Sequence, residues 1–277
     1  MKEMLDKIKG LIDESDSILI GAGSGLSTAS GINYSGEDFE KEFKEFIEKY
    51  GFTDLYTSSF YNFESQEEYW AYWAKHIYFA NIGREGTKLY KKIYDLVKNK
   101  DYFVITTNVD DQFYKTGFDE NKIFRVQGSY RFNQCSVGCH NKLYDNKELV
   151  NNMIKSINGN LEVPKELVPH CPVCGENMEP NLRKDEYFVQ DDLWYKQNDA
   201  YEKFIDENKD KRVLLLEFGV GFNTPGIIRF PFEQMISEYK NWTLIRFNKD
   251  TRCMYELDDR FIEIKEDINK IIGENYW

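Results

Sequence analysis

Four cysteines stand in two close pairs, "CSVGC" at Cys135 and Cys139 and "CPVCG" at Cys171 and Cys174, about 30 residues apart. Two such pairs on turn-forming stretches can give four thiolates to a tetrahedral zinc ion. That closed set leaves no open coordination position, so the metal would hold the fold rather than catalyse. A redox pair and unliganded thiols are the competing readings, and His140 and His170, each beside a ligand, are alternative donors. Cys253 is isolated and is expected to be a buried free thiol.

A second kind of chemistry is written in the glycines. "GAGSGLSTASGI", residues 21 to 32, carries Gly21, Gly23 and Gly25, which permit a tight turn and close backbone approach. A helix N-terminus just after them would offer N–H groups to a pyrophosphate. The usual dinucleotide fingerprint also needs a second strand ending in an acid about 20 residues on, and here an aromatic segment intervenes. An ordinary nicotinamide dehydrogenase is therefore not expected.

Further polar and glycine clusters follow each apolar run. "TNVDDQF" supplies Thr107, Asn108, Asp110 and Asp111. Gln127, Gly128 and Ser129 follow the next run; Gly219, Gly221 and Asn223 lie in "FGVGFNTPG"; Asn248, then Glu266 and Asp267, close the last two. Ligands bind at the carboxyl edge of an open parallel sheet, so the coincidence of these clusters marks Gly219, Gly221, Asn223 and Asp267 as candidate cofactor contacts. Taken singly, each is equally readable as a turn or a helix cap.

The elements that must position these residues are legible in the same way. Runs at 17–21, 102–106, 122–126, 212–218, 242–247 and 261–265 are rich in β-branched and aromatic residues and read as strands, buried on both faces where continuously apolar. Helical spacing joins Phe39, Phe43, Phe46 and Tyr50, and also Leu89, Ile93, Leu96 and Val97. The alternation predicts an α/β fold: a Rossmann-like parallel sheet with a smaller zinc-ribbon module and a helical insertion. The expected division of the single catalytic domain is a core of 1–37, 84–130 and 185–277, a helical insertion at 38–83 and a zinc-binding module at 131–184. The aromatic stripe "EEYWAYWAKHIYF" reads as core packing, with a ligand-pocket wall as its alternative.

Composition narrows the partners. With 36 basic against 48 acidic residues the net charge is −12, and no basic patch offsets it, which argues against nucleic acid and anionic membranes. The start "MKEMLDKIKGLIDESDS" is too charged for a signal peptide or membrane span, and the longest apolar run, "VLLLEFGV", is of strand length. A cytoplasmic location is expected, where thiols stay reduced.

Taken in order, "GAGSGLSTASGI", "TTNVD", "QGS", the four cysteines, "GVGFNTPG" and "RFN" resemble the sirtuin family, NAD-dependent enzymes that cleave the bond between nicotinamide and ribose. The resemblance implies that Ala22, Gly23, Ser24 and Ser27 bind the cofactor, that Asn108 and Asp110 form the catalytic strand-end pair, and that Asn248 meets the adenosine ribose. Three departures matter. Tyr34, Ser35 and Gly36 replace an Asp-Phe-Arg element that closes over the cofactor; Gln127 replaces a histidine; and "PNLRKDEYFVQDD" replaces the apolar stretch that grips an acyl-lysine. These changes resemble the macrodomain-linked class M sirtuins, associated with ADP-ribosyl transfer to a lipoyl-carrier protein such as a glycine-cleavage H-like protein, and with a macrodomain hydrolase in the same pathway.

Chemistry sorts the activities. Nicotinamide leaves as a neutral amide, so its departure needs no protein base, whereas deacylation needs a proton acceptor worth about 10²–10⁴-fold in rate. Gln127 can orient ribose hydroxyls but cannot take a proton. The expected activity is thus protein ADP-ribosyl transfer, with deacylation, NAD hydrolysis and non-catalytic NAD or ADP-ribose sensing as alternatives. Arg183, contributed by the changed stretch, is expected to orient a diphosphate or an acidic acceptor, against the alternative of a surface ion pair with Asp185 or Glu186. Asn108 and Asp110 are expected at a solvent-facing strand end.

Overall fold

Apolar runs flanked by turn residues become strands at every place the sequence expects one, with boundaries moved by a residue or less at each end. The computed structural model describes residues 2–249 and 252–273. In chain order its strands are β1 (Ser17–Ala22), β2 (Asp101–Thr106), β3 (Ile123–Arg125), β4 (Gly128–Cys135), β5 (Tyr144–Asp145), β6 (Met178–Leu182), β7 (Val213–Phe218), β8 (Trp242–Phe247) and β9 (Phe261–Ile264).

The chain divides into two compact units, one of residues 1–31, 86–127 and 193–277, the other of 32–85 and 128–192. The helical and cysteine-bearing segments, treated apart in the sequence, thus belong to a single unit.

In the first unit six strands form one parallel sheet in the order β3-β2-β1-β7-β8-β9. β1 and β7 are buried along their whole length, as their unbroken apolar character requires. Ile18, Ile20, Leu214 and Leu216 face one apolar layer with Leu89, Ile93 and Val97. Leu19, Leu215 and Leu244 face the other with Phe204, Phe232 and Trp242. The order in which the chain adds strands reverses between β1 and β7, which is where open sheets of this kind form a crevice.

The second unit contains a three-stranded antiparallel sheet, β5-β4-β6, and the helices of the aromatic segment. Gly128 and Ser129, expected to end the third strand of the large sheet, instead open β4 opposite Leu182 and Asn181. The helix Gln66–Ile77 buries Trp70, Tyr72, Trp73 and His76, so the core reading of the aromatic stripe is the one realised.

His76 shows how a polar group is accommodated in that core. Its Nδ1 lies 3.2 Å from Tyr72 Oη and its Nε2 2.9 Å from Tyr130 Oη. Tyr72 donates to Leu55 O, so the ring must donate from Nδ1 and accept at Nε2. Tyr130 then gives its proton to Nε2 and accepts from Tyr34 Oη, 3.1 Å away. Trp73 stacks on the ring at 5.1 Å. Burial depresses the His76 pKa to about 3. A histidine with a depressed folded pKa contributes stability fully above its unfolded value, about 6.5, and loses it as pH falls toward 3. His76→Gln should therefore be less stable than the parent at pH 7, with the gap narrowing by roughly 2 kcal/mol by pH 5. Urea unfolding of both proteins across that range measures it.

Candidate active site

Backbone packing builds the site before any ligand is considered. Gly23 N–H donates to Phe218 O and Gly25 N–H to Gly219 O, both at 3.0 Å, tying the turn after β1 to the turn after β7. A Cβ on Gly23 or Gly25 would lie 2.9 or 2.8 Å from Gly219 backbone atoms, and Gly219 itself has φ +59. A Cβ on Gly21 would meet Ile228 and Phe232 at 2.5 and 2.6 Å. The protein's own packing thus accounts for these glycines. Ala22 ends β1, and Ser24 opens the short helix Ser24–Ala29.

A polar cluster links that helix to the end of β2. Ser27 Oγ donates to Asp110 Oδ2 at 2.5 Å and meets Tyr90 Oη at 3.2 Å. Asn108 Nδ2 donates to Gly23 O at 3.0 Å and to Tyr90 Oη at 3.1 Å. Gln112 N–H donates to Asp110 Oδ1 at 3.1 Å. Asn108 and Asp110 are only 9% and 2% exposed, so the expected solvent-facing position is corrected. The reason is local: immediately after β2 both side chains turn to the protein's own polar groups, Asn108 to Gly23 O and Asp110 to Ser27 and Gln112. Both border a small, water-sized hollow with Asp111, Gln112 and Arg125.

Burial has an electrostatic consequence. It pushes the Asp110 carboxyl up to about 6, against the pull of the Ser27 and Gln112 hydrogen bonds, with Asp111 adding to the rise and Lys115 opposing it. Tyr90 is raised well above its ordinary value, by burial first and then by the Asp110 charge.

At the other strand ends, Asn248 Nδ2 donates to Val220 O at 2.7 Å. Arg229 Nη1 donates to the same carbonyl at 2.9 Å. Gly221 and Asn223 are exposed on that loop. Asp267 is exposed and accepts from Asn269 and Lys270 N–H, acting as a cap of the following helical turn. Gln127 is half-buried in the turn between β3 and β4. Tyr34 and Arg183 belong to the second unit. Arg183 is exposed, and among the described residues it makes neither of the expected ion pairs; Lys184 pairs with Glu179 and Asp185 instead.

Sequence reading missed Tyr90, Gln112 and Arg125. It also missed a fully buried charge network: Arg246 pairs with Glu217 at 2.7 Å and with Glu233 at 2.8 Å, while Arg229 lies 3.9 Å from Glu217. Burial raises the Glu217 carboxyl although Arg246 opposes this. Glu217 interrupting an apolar strand was the one available signal.

The cysteine cluster lies within the second unit. The Sγ atoms of Cys135, Cys139, Cys171 and Cys174 all lie within 4.8 Å of one another, and the pairs Cys135/Cys174 and Cys139/Cys171 are 3.6 Å apart. Sulfurs around tetrahedral zinc sit about 3.8 Å apart, so these four fit the ion. His140 is not among the four donors: Nδ1 lies 3.0 Å from Cys139 Sγ and Nε2 3.0 Å from Tyr144 Oη, the geometry of an outer partner. His170 is exposed beside Cys171. Cys253, expected to be buried, is exposed on the loop after β8, next to Arg246.

A family model described as "Sir2 family" matches residues 23–207. This chain belongs to the Sir2 family. A relative from Staphylococcus aureus named "Protein ADP-ribosyltransferase" is 36% identical over 267 residues, covering 96% of this chain and 84% of that protein. A Fusarium oxysporum relative named "Probable bifunctional ADP-ribose hydrolase/ADP-ribosyltransferase" is 29% identical over 235 residues, 81% of this chain but 39% of that protein. Among solved structures, a Sir2 homolog–NAD complex matches with TM-score 0.58 at 17% identity, covering 97% of this chain and 91% of the other. The sirtuin's parallel sheet is thus the Rossmann-like fold of its family. Among the described residues no helix is long and apolar enough to cross a membrane.

Four thiolates converging on one point without a bound cation would repel one another, so the metal should be integral to the second unit. Metal analysis should find one zinc per chain, and Cys171→Ser should lose most of it together with thermal stability. Unchanged zinc content in that variant would dissociate the cluster from the metal.

Proposed function

We propose that this sirtuin is an NAD-dependent protein ADP-ribosyltransferase. The observation that carries the reading is the placement of its three histidines. His76 has both ring nitrogens bonded to tyrosine hydroxyls, His140 is engaged by Cys139 and Tyr144, and His170 stands beside Cys171. Gln127 occupies the place before Gly-Ser where the family resemblance puts a histidine base. The step that needs no base is the one this chain is equipped for.

When bound, NAD supplies a positively charged nicotinamide that leaves as a neutral amide. Asp110 is suited to accept hydrogen bonds from the carboxamide, and its ionised form is the acceptor. Both amide hydrogens of Asn108 are committed to Gly23 O and Tyr90 Oη, so the atom it offers a ligand is its carbonyl oxygen. That oxygen can hold a ribose hydroxyl. Gln127 orients without exchanging a proton, and the glycine turns at Gly23, Gly25 and Gly219, with Asn248, shape the dinucleotide end. The Staphylococcus relative's name supports transfer to a protein. The likeness to class M extends the proposal to a lipoylated carrier as acceptor and a macrodomain hydrolase as the reversing partner. The two activities in the Fusarium relative's name accord with the latter. Incubating the protein with NAD and a lipoylated carrier, then weighing the carrier by mass spectrometry, tests the acceptor.

Two variants test the chemistry. Asp110→Asn should abolish nicotinamide release and yet stabilise the fold. A carboxyl raised from 3.8 to about 6 favours the folded state only while protonated, so its contribution is lost as pH rises through that window. The amide should thus be more stable than the parent by about 1–3 kcal/mol at pH 7.5, and no more stable below pH 4. Nicotinamide release by the parent should rise with pH through about 6 for the same reason. Gln127→His restores a base while "NLRKDEYF" remains, so acetyl-lysine peptides should still be poor substrates, and transfer to protein should fall. Efficient deacetylation by the unmodified protein would reverse the reading.

A further inference from the structure

The residue after Asp110 has the backbone of a glycine and the charge of a second carboxylate. Asp111 sits at φ +57, one of two residues other than glycine with positive φ among those described. A side chain in that region is disfavoured, less so for Asp than for most residues, and persists where its surroundings hold it. Its side chain is paired with Arg125, at the end of β3, whose Nη1 lies 3.2 Å from Asp111 Oδ1 and whose Nη2 lies 3.1 Å from Glu120 Oε1. Both Arg125 and Asp111 are buried. The left-handed turn at Asp111 brings Gln112 N–H back onto Asp110 Oδ1, completing the cage around that carboxylate. Arg125, Asp110 and Asp111 all border the same small hollow.

We propose that Arg125 is a positioning residue for Asp110: by holding Asp111 in its left-handed turn and offsetting part of its charge, it steers both the direction and the ionisation of the neighbouring carboxylate. The proposal rests on the reading of Asp110 as the carboxylate needed for nicotinamide release. The groups that face Asp110 are the Ser27 hydroxyl, bridged to Tyr90, from the helix Ser24–Ala29, the Gln112 N–H, and the charges of Asp111 and Lys115. Asp111 is the member of that set that works against ionisation, and Arg125 is its ion-pair partner. With Arg125 gone, two buried carboxylates on adjacent residues would lie side by side, and like charges so placed hold one of the pair protonated. With Asp111 neutralised and Arg125 retained, the guanidinium would instead favour the ionised form of Asp110.

The pH profile of kcat/KM for nicotinamide release reads this directly, using the full chain with NAD. Arg125→Gln should move the acid-side inflection up by about one pH unit, and Asp111→Asn should move it down. The double variant should return close to the parent, because the charge that Arg125 offsets is absent. A purely structural role for Arg125 would lower activity at all pH values without moving the inflection. Inflections unmoved in both single variants, or shifts that fail to cancel in the double variant, would overturn the proposal. If Arg125→Gln does not fold alone, the double variant compared with Asp111→Asn decides: a higher inflection in the double variant supports the proposal, and equal inflections overturn it. Asp110→Asn separates the two levels. Retained nicotinamide release in that variant removes the reading of the site, whereas its loss together with unmoved Arg125 and Asp111 profiles removes this inference only.

Discussion

The first unit is organised around a place where two backbones meet without side chains between them. Gly23 and Gly25 approach Gly219 so closely that any Cβ would fall within 3 Å of main-chain atoms. Main-chain clashes are not relieved by a rotamer change, so a larger residue would have to part β1 from β7 at the point where the strand order reverses. The polar cluster hangs from this contact. Asn108 bonds to Gly23 O, and Ser27, on the helix that Gly23 opens, bonds to Asp110. The direction of the two residues proposed to act on the cofactor is therefore set by glycines that need touch no ligand.

That cluster works against the fold that houses it. A carboxyl with a pKa near 6 has been moved out of water further than its hydrogen bonds compensate. Tyr90, fully buried, spends its hydroxyl between Ser27 and Asn108 rather than on the apolar packing its ring provides. Functional sites commonly sit at such a deficit, the remainder of the core supplying the difference. Here the supplying layers are the aliphatic faces of β1, β2 and β7.

The strands of the large sheet were legible because burial on both faces leaves an unbroken apolar signature. β4 and β6 left none. Their buried positions include Asn133, Gln134, Glu179 and Asn181, and Gln134 Oε1 accepts from Asn181 Nδ2 and Val189 N–H. A sheet whose interior is hydrogen-bonded amide and carboxylate has no hydrophobic period to detect. The site was legible for a different reason: Asn108, Asp110 and the cysteines occur in short motifs. Tyr90, Gln112 and Arg125 do not, since each gains its role from a partner brought near by folding. Asn108 and Asp110 do follow the end of β2 but lie deeper than expected, because position at a strand end says nothing of what covers it.

The buried network of Glu217, Arg246, Glu233 and Arg229 has its own consequence. Arg246 and Arg229 both donate to Arg252 O, Arg229 also to Val220 O, and Glu233 accepts from Met254 and Tyr255 N–H. Four alternating charges with no solvent access thereby anchor the backbone at Val220, Arg252, Met254 and Tyr255. Counterions cannot reach them, so these anchor points should hold from dilute buffer to molar salt. Removing one member would strand its partner's charge in the interior, whereas exchanging all four for apolar residues need not. On these grounds single exchanges within the quartet should be far more damaging than a concerted one.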